Sequence, residues 1–287
     1  MRYEAPRTLD QAVSLLSDES GLARVLAGGT DLLVQLRSER IEPDLIVDIK
    51  RIDGMRSITA ERGGYRIGAA VAGAELEEHE GLSTLWPGVV EAANLIGSTQ
   101  IQGRATMVGN LCNASPAADA VPALIAAGAL AAIVGPNGRR EIPVEAVSTG
   151  PGKTALTKGE IVESLYLPAR PERSGDAYLR FIPRTEMDIA VVGAAVSLTL
   201  DEAGRCAAAR VGLGAVAPRP LLVEAAAAAI VGTSLDEAAL EALAAACRAA
   251  CAPIDDKRGT IEYRTEVAGV LGRRAAVIAH KRAGDSR

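Results

Sequence analysis

The chain has 287 residues, which is too long for one small core and sufficient for two or three compact lobes. Hydrophobic residues make up 48% of it and charged residues 23%, a balance typical of an ordered globular protein and not of a disordered one. The net charge of −5 argues against sequence-independent nucleic-acid binding, and no apolar run reaches the roughly 18–20 residues of a membrane span. Residues 1–6 are polar and lack the apolar core of a signal peptide, so we expect a cytoplasmic protein.

The first 53 residues are predicted to form a small lobe of alternating helices and strands. Apolar residues at helical spacing occupy residues 8–16, and short apolar runs at 23–27 and 45–49 are typical of buried strands. The glycine pair after the first of these strands predicts a tight turn at 28–31, followed by a short helix at 32–37.

Residues 54–170 are predicted to form a second lobe. The dipeptide Asn137-Gly138 between two apolar runs is a hairpin signal, and Pro87 suits the first turn of a helix. The predicted elements are strands at 64–71, 130–134, 140–144 and 161–167 and helices at 85–96 and 120–127.

The pattern changes after residue 170. Two long apolar segments at 189–200 and 206–216 predict an antiparallel sheet, and helical spacing then recurs at 221–231, 235–250 and 260–281. Ser234, with Glu237 three residues later, predicts a capping box for the middle helix. Strands followed by helices indicate an α+β domain.

Metal sites and histidine-based catalysis have little support in the sequence. Zinc and iron–sulfur sites use closely spaced cysteines, whereas the four cysteines here are scattered and include no CxxC pair. We interpret them as small buried hydrophobic residues in a reducing compartment. The two histidines, His79 and His280, stand apart from other candidate ligands. We therefore expect no metal ligand and no catalytic residue on this chain.

Two glycine-containing segments look like nucleotide-binding motifs but lack parts of them. Residues 152–154 match the end of a phosphate-binding P-loop, yet Val147 stands at the upstream glycine position. Residues 212–217 fit a dinucleotide fingerprint, yet Pro218 follows at once. A turn at a strand end is therefore expected there, and not a helix that faces a pyrophosphate.

Residues 25–32 place a glycine pair between a predicted strand and a predicted helix. Such a turn presents several backbone N–H groups at one point, and glycine lets an anion approach the backbone closely. The helix dipole adds positive potential, and Thr30 can add a hydroxyl donor. An ordinary turn has the same pattern, so this segment alone leaves both interpretations open.

Residues 103–119 concentrate short polar side chains in a nearly uncharged segment that we predict to be largely loop. Polar groups are costly to bury without partners, so the scarcity of charges favours burial against a polar ligand, with a solvated surface loop as the alternative. Asp119 could instead cap the helix that follows it. The polar residues are Thr106, Asn110, Asn113, Ser115 and Asp119.

Together, these two segments resemble the two FAD-binding signatures of the flavoprotein (medium) subunit of the molybdenum hydroxylases, the family of xanthine dehydrogenase and aerobic carbon monoxide dehydrogenase. The resemblance covers nearly the whole chain. Six motifs in the family's order and at the family's spacing make it specific. Beyond the first two, the matching segments are 149–154 with 159–161, 180–190, 214–220 and 258–264.

The resemblance implies an α+β fold with a two-lobed, PCMH-like FAD-binding domain made of two small α/β pieces. A C-terminal α+β domain with an antiparallel sheet and helices follows. We place the boundaries at residues 1–53 for the first FAD-binding lobe, 54–170 for the second and 171–287 for the C-terminal domain.

The resemblance also implies which residues bind the cofactor. Asp119 would bind a ribityl or ribose hydroxyl, the backbone near Ile161 would meet the edge of the isoalloxazine, and Arg180 stands where the family places a basic residue near the flavin. The turn around the FAD pyrophosphate would comprise Leu26, Ala27, Gly28, Gly29, Thr30 and Asp31. The diphosphate and ribityl region would be held from the other side by Thr106, Gly109, Asn110, Asn113 and Ser115.

Two positions depart from the family pattern. Val108 precedes Gly109 where many members have two glycines, so a side chain narrows the approach to the phosphate there. Ile96 stands where animal xanthine dehydrogenases stack an aromatic ring on the flavin.

The function implied by the resemblance is that of an electron-transfer subunit of an oxidoreductase. Electrons from molybdenum would pass through iron–sulfur centres to FAD, and then to NAD⁺, a quinone or another acceptor. No molybdopterin or 2Fe–2S motif occurs in this sequence, so those centres would lie on a large and a small partner subunit, in a dimer of heterotrimers. A flavin-free assembly module and an independent FAD-dependent oxidase of related fold are the alternatives.

Overall fold

The N-terminal part of the chain forms a three-stranded parallel sheet. The structure, a computed structural model, describes residues 1–285 of the whole chain. Its elements are β1 (Arg2–Glu4), α1 (Leu9–Asp18), β2 (Ala23–Leu26), α2 (Leu32–Arg37) and β3 (Leu45–Asp48). β3 lies in the middle, and β1 and β2 both pair with it in parallel. The predicted elements of this region are confirmed. Strand β1 is not predicted, because a strand of three residues is too short to show an alternating pattern.

An antiparallel sheet of five strands occupies the middle of the chain. The elements are β4 (Ile58–Glu61), β5 (Gly64–Gly68), α3 (Gly73–Glu77), α4 (Glu80–Leu85), α5 (Pro87–Ala93), α6 (Thr99–Gln102), α7 (Met107–Cys112), α8 (Ala120–Ala126), β6 (Leu130–Gly135), β7 (Gly138–Pro143), β8 (Ser148–Gly150), β9 (Lys153–Thr154) and β10 (Ile161–Leu167). The strand order is β4-β5-β10-β6-β7, and β8 and β9 pair separately.

This middle sheet differs from the small α/β piece that the resemblance implies. Every strand pair in it is antiparallel. A parallel pair needs a crossover element between its two strands. Here six helices follow one another between β5 and β6 instead of alternating with strands, so the piece is α+β. The predicted hairpin around Asn137-Gly138 is confirmed as β6 and β7.

The C-terminal part of the chain is an antiparallel sheet with helices packed against it. Its elements are β11 (Ser174–Phe181), β12 (Val192–Leu200), β13 (Cys206–Gly214), β14 (Leu221–Leu222), α9 (Glu224–Ile230), α10 (Glu237–Ala249) and α11 (Ile261–Asp285). The strands lie in sequence order in the sheet, and α11 crosses β11 and β12. The predicted α+β domain is confirmed. The sequence misses β11, whose pattern is interrupted by Gly175, Asp176 and Arg180.

The predicted capping box before α10 is wrong. The N-cap residue is Asp236, whose carboxylate accepts a hydrogen bond from the Ala239 backbone N–H at 2.9 Å. Leu235 has a φ of +54°, so the chain turns sharply after Ser234 and the helix starts two residues later than the Ser234–Glu237 spacing predicts.

The core is built from small aliphatic residues, and backbones touch where glycine is present. Alanine, valine, leucine and isoleucine supply nearly all of the buried hydrophobic residues. A Cβ atom on Gly175 of β11 would lie 2.0 Å from the Ala279 carbonyl oxygen of α11. A Cβ atom on Gly212 of β13 would lie 2.2 Å from the Pro122 carbonyl oxygen of α8. Elements therefore approach each other more closely than larger side chains would allow.

Candidate functional site

A cleft of about 700 Å³ separates the turn after β2 from α7 and from the loop between β9 and β10. This volume lies within the range of ordinary small-molecule sites. Most of the cofactor-binding residues implied by the resemblance line this one cleft. They are Ala27, Gly28, Gly29, Thr30, Asp31, Thr106, Gly109, Asn110, Asn113 and Ile161.

The two glycine-bearing segments meet at Gly28. A Cβ atom on Gly28 would lie 1.9 Å from the Arg104 carbonyl oxygen and 3.2 Å from the Ala105 Cα atom. No side chain fits there, so only glycine lets the turn after β2 lie directly against residues 104–105. The adjoining Gly29 has a φ of +77°, a conformation that favours glycine. The structure thus gives the glycine pair two reasons of its own, a close backbone contact at Gly28 and a positive φ at Gly29, while the approach of an anion stays a prediction.

The backbone donors of this turn are free for a ligand. Within residues 1–285, the N–H groups of Gly28, Gly29 and Thr30 donate no hydrogen bond to a backbone or side-chain acceptor. Buried or cleft-facing N–H groups without a partner are rare in folded proteins, so a turn of this kind is suited to an anion. Helix α2 has only six residues, so the turn itself and not a long helix dipole supplies the donors.

The segment expected to be loop contains a helix, α7. Its N-cap is Thr106, whose hydroxyl accepts a hydrogen bond from the Gly109 N–H at 2.9 Å. A helix of six residues with glycine and asparagine inside it has almost no sequence signal, because tertiary packing and not propensity stabilises it. The Gly109 N–H is therefore already satisfied, and Gly109 contributes space to the cleft.

The amide side chain of Asn110 serves the next helix. Its Oδ1 atom accepts a hydrogen bond from the Ala120 N–H at 3.0 Å and so caps the start of α8. The alternative prediction that Asp119 caps α8 with its own side chain is wrong, because Asp119 has helical backbone angles and makes no capping hydrogen bond. Asn110 is also one of the residues that line the cleft.

Asp119 and Arg180 form a buried ion pair behind the cleft lining. Their Oδ2 and Nη1 atoms lie 3.2 Å apart, and Nη1 also donates to the Leu95 carbonyl at 2.6 Å. Burial raises the pKa of Asp119 to about 6, although Arg180 acts in the opposite direction. Asp119 Oδ1 and the Tyr178 hydroxyl are buried, and neither has a hydrogen bond of ordinary geometry within residues 1–285. The ion pair therefore retains unused hydrogen-bonding capacity. It lies next to the Leu95–Ile96 peptide, and Ile96 lines the cleft.

Leu26 and Ser115 also lie outside the cleft lining. Leu26 packs under the turn, since a Cβ atom on Gly29 would come within 2.8 Å of its Cδ1 atom. The Ser115 hydroxyl accepts a hydrogen bond from the Ala117 N–H at 3.2 Å. Both residues shape the segments that line the cleft.

A contact between side chains joins the two sides of the cleft. Gln35 of α2 donates from Nε2 to Oδ1 of Asn113 at the end of α7, at 3.3 Å. Val108, the departure from the family pattern, is 6% exposed and packs mainly into the core. It also belongs to the cleft lining.

The loop between β9 and β10 supplies cleft residues that sequence reasoning does not assign. Lys158 and Glu160 line the cleft, and Glu160 is paired with Arg140 at 2.8 Å. The hydrogen bonds from Arg140 lower the pKa of Glu160 to about 2. The family-like segments 149–154 and 159–161 flank these residues or contain them, and they are the sequence feature that points to this loop. Spacing alone does not tell which of their side chains face a ligand.

The remaining candidate features have structural explanations. The His79 ring caps α4 by accepting the Leu82 N–H at 3.1 Å. Residues 152–154 belong to the β8–β9 hairpin, and residues 212–214 end β13. In the part of the chain that the structure describes, all four cysteine thiols are free, and no helix is long and apolar enough to cross a membrane.

Comparison with family models identifies the class of protein to which this two-part fold belongs. Residues 1–170 match the family model described as the FAD binding domain in molybdopterin dehydrogenase. Residues 177–278 match that of the CO dehydrogenase flavoprotein C-terminal domain. The chain therefore belongs to the family of FAD-binding subunits of molybdenum hydroxylase-type oxidoreductases.

Similar proteins share both parts of the chain. The carbon monoxide dehydrogenase medium chain of Afipia carboxidovorans is 36% identical over 282 residues, which cover 98% of this chain and 97% of that one. A putative xanthine dehydrogenase FAD-binding subunit of Escherichia coli is 34% identical and covers 91% of this chain and 90% of its own. A chain of reconstituted CO dehydrogenase from Oligotropha carboxidovorans has a TM-score of 0.94 at 34% identity, and 98% of each chain is covered.

Proposed function

We propose that this chain holds FAD in the cleft and passes electrons from iron–sulfur centres of a partner subunit to an external acceptor such as NAD⁺ or a quinone. The observation that carries the proposal is the turn of free N–H groups at residues 28–30, which faces α7 across a cleft of about 700 Å³. Backbone dipoles of this kind can neutralise a buried diphosphate without a dedicated lysine or arginine.

The residues present fit the parts of FAD. The turn at residues 27–31 would hold the diphosphate through its N–H groups, opposite the Asn110 and Asn113 amides that line the cleft. Asp119, which lies outside the cleft lining, is the proposed acceptor for a ribityl or ribose hydroxyl, through its Oδ1 atom beside the Tyr178 hydroxyl. Ile96 and Ile161 would border the isoalloxazine with apolar surface.

The chemistry assigned to this chain is binding, orientation and exclusion of water. A bound flavin supplies the electron chemistry itself, and the protein sets its position and its electrostatic surroundings. Arg180, fixed by Asp119 and the Leu95 carbonyl, places a positive charge close to Ile96 and thus close to the proposed isoalloxazine position. That charge is offset by the Asp119 carboxylate with which Arg180 forms the buried ion pair.

The proposed assembly is a dimer of heterotrimers with a large molybdopterin subunit and a small iron–sulfur subunit. The names of the similar proteins, a medium chain and an FAD-binding subunit, support a multi-subunit complex. Free cysteine thiols support the cytoplasm as its location. We also propose that residues 1–53 and 54–170 are the two FAD-binding lobes and 171–287 the C-terminal domain.

Flavin analysis of the full chain, alone and with its co-purified partners, tests the proposal. We expect one FAD per chain, released on denaturation, and bleaching of the flavin by the holoenzyme's substrate only when the partners are present. A chain that folds but binds no flavin would instead be an assembly module. Oxidation of a substrate by the chain alone would identify an independent oxidase.

A further inference from the structure

Tyr3 of β1, Asp48 at the end of β3 and Lys50 just after it form a connected row behind the turn after β2. The Tyr3 hydroxyl donates to Asp48 Oδ2 at 2.5 Å, and Lys50 Nζ lies 2.8 Å from Asp48 Oδ1. Lys50 Nζ also donates to the Ala27 carbonyl oxygen at 3.1 Å. The row therefore ends on the backbone of the turn that lines the cleft.

Asp48 is held ionised within this row. It is 5% exposed at the end of β3, and burial by itself would raise its pKa. The hydrogen bonds from Lys50 and Tyr3 and the Lys50 charge outweigh burial and hold the pKa of Asp48 below its usual value. A buried carboxylate paired in this way fixes the position of the Lys50 ammonium group.

Because the peptide between Ala27 and Gly28 is rigid, holding its carbonyl oxygen also fixes the direction of the Gly28 N–H. The peptide between Ala27 and Gly28 is trans and planar, so its C=O and its N–H point in opposite directions. Lys50 takes the carbonyl on its own side and does not line the cleft. The Gly28 N–H, which has no acceptor within residues 1–285, therefore points away from Lys50, on a residue that lines the cleft.

We propose that Lys50 is a positioning residue of the diphosphate site, with Asp48 and Tyr3 as its support. This inference rests on the proposed FAD-binding function. Glycine tolerates a wide range of φ, so the peptide before Gly28 can rotate if its carbonyl is released. A rotated peptide would aim a carbonyl oxygen, and not an N–H group, at the negative diphosphate. Lys50 prevents this rotation without touching the ligand.

The test compares flavins with and without a diphosphate. Equilibrium dissociation constants for FAD and riboflavin are measured on the full-length chain for the wild type, Lys50→Met, Lys50→Arg and the control Lys281→Met. Losing one well-aimed hydrogen bond to a charged group corresponds to about a tenfold to hundredfold weaker binding. We expect that loss for FAD in Lys50→Met, unchanged riboflavin binding, recovery in Lys50→Arg, and no effect of Lys281→Met, which lies on the surface of α11.

Ionic strength separates positioning from simple charge attraction. The ratio of the Lys50→Met to the wild-type dissociation constant for FAD should be the same at about 50 mM and about 500 mM NaCl, because a fixed backbone donor is not screened as an exposed charge is. A ratio that falls to one at high salt would overturn the inference. So would equal losses of FAD and riboflavin, or FAD binding by Lys50→Met at wild-type strength.

A second variant covers the case in which Lys50→Met fails to fold. Tyr3 is exposed, and Tyr3→Phe removes only the outer hydrogen bond of the row. It should weaken FAD binding by about twofold to fivefold and leave riboflavin binding unchanged. Wild-type affinity for FAD in this variant, together with an unfolded Lys50→Met, would overturn the inference. A wild-type chain that binds no FAD would instead overturn the proposed function.

Discussion

Replacing Gly28 by alanine places a methyl carbon where the backbone of residue 104 now lies. The new Cβ atom would be 1.9 Å from the Arg104 carbonyl oxygen, and real Cβ contacts are essentially never shorter than 3.0 Å. The turn and residues 104–105 must therefore separate by about 1 Å, which moves a hydrogen bond of ordinary length beyond its useful range. Gly28 does not have a positive φ, so this contact alone causes the effect.

The expected cost has two measurable parts. Overpacking of a backbone contact lowers the free energy of unfolding of the flavin-free chain by about 1–3 kcal/mol. Misplacing one or two backbone donors to a diphosphate costs a further ~1.5–3 kcal/mol each in binding, which corresponds to at least a tenfold weaker affinity for FAD. Chemical denaturation gives the first quantity, and titration of the flavin-free chain with FAD, followed by flavin fluorescence, gives the second.

Gly103→Ala is the matched control for this experiment. It lies next to Arg104 on the opposing segment, and a Cβ atom there meets nothing within 4 Å. Its φ of −67° also suits alanine. Unchanged FAD affinity in Gly28→Ala, or an equal loss in Gly103→Ala, would show that the close approach at Gly28 does not position the binding turn.

Three further outcomes follow from local geometry. Burial raises the pKa of Asp119 to about 6, above the ~3.9 of an unfolded chain, so the native state binds its proton more tightly and the stability of the flavin-free chain falls as the pH rises from about 4 to about 6. Denaturation at several pH values should show a shallower fall in Asp119→Asn, and identical slopes would contradict this. Asp236→Ala should lower the free energy of unfolding by about 1 kcal/mol and Ser234→Ala by almost nothing. A larger loss of stability in Ser234→Ala than in Asp236→Ala would instead support Ser234 as the N-cap. Burial raises the pKa of Cys247, which is fully buried, to about 12, so mass spectrometry should find it unalkylated in native protein at about pH 8, and rapid alkylation would refute its enclosure.

Elements with a strong period or a specific turn are predictable from this sequence. Residues 32–37, 161–167 and the hairpin at Asn137-Gly138 lie where the pattern predicts them. Their boundaries are determined locally, by glycine, by an asparagine–glycine turn or by a run of β-branched residues. The resemblance to a family located the cleft, because its two glycine-bearing segments form that cleft's two sides.

The features that the sequence does not predict depend on contacts between residues that are distant along the chain. α7 has only six residues, with Gly109 and Asn110 in its middle, so it shows no helical pattern, and packing and the Thr106 cap stabilise it. Asn110 caps a helix ten residues away, a role that no local motif indicates. The Tyr3–Asp48–Lys50 row depends on the sheet, because Tyr3 of β1 is 45 residues away from Asp48, and Lys50 reaches the Ala27 carbonyl after β2.

A core of small residues with backbones in contact sets an unusual pattern of tolerance to mutation. At Gly175 and Gly212, any larger residue collides with a carbonyl oxygen of the facing element, which neither side can move aside by changing a rotamer. Trimming an alanine, in contrast, leaves a void too small to matter much. In a saturation library, enlarging changes at these two glycines should therefore be depleted more strongly than alanine-to-glycine changes elsewhere in the interior.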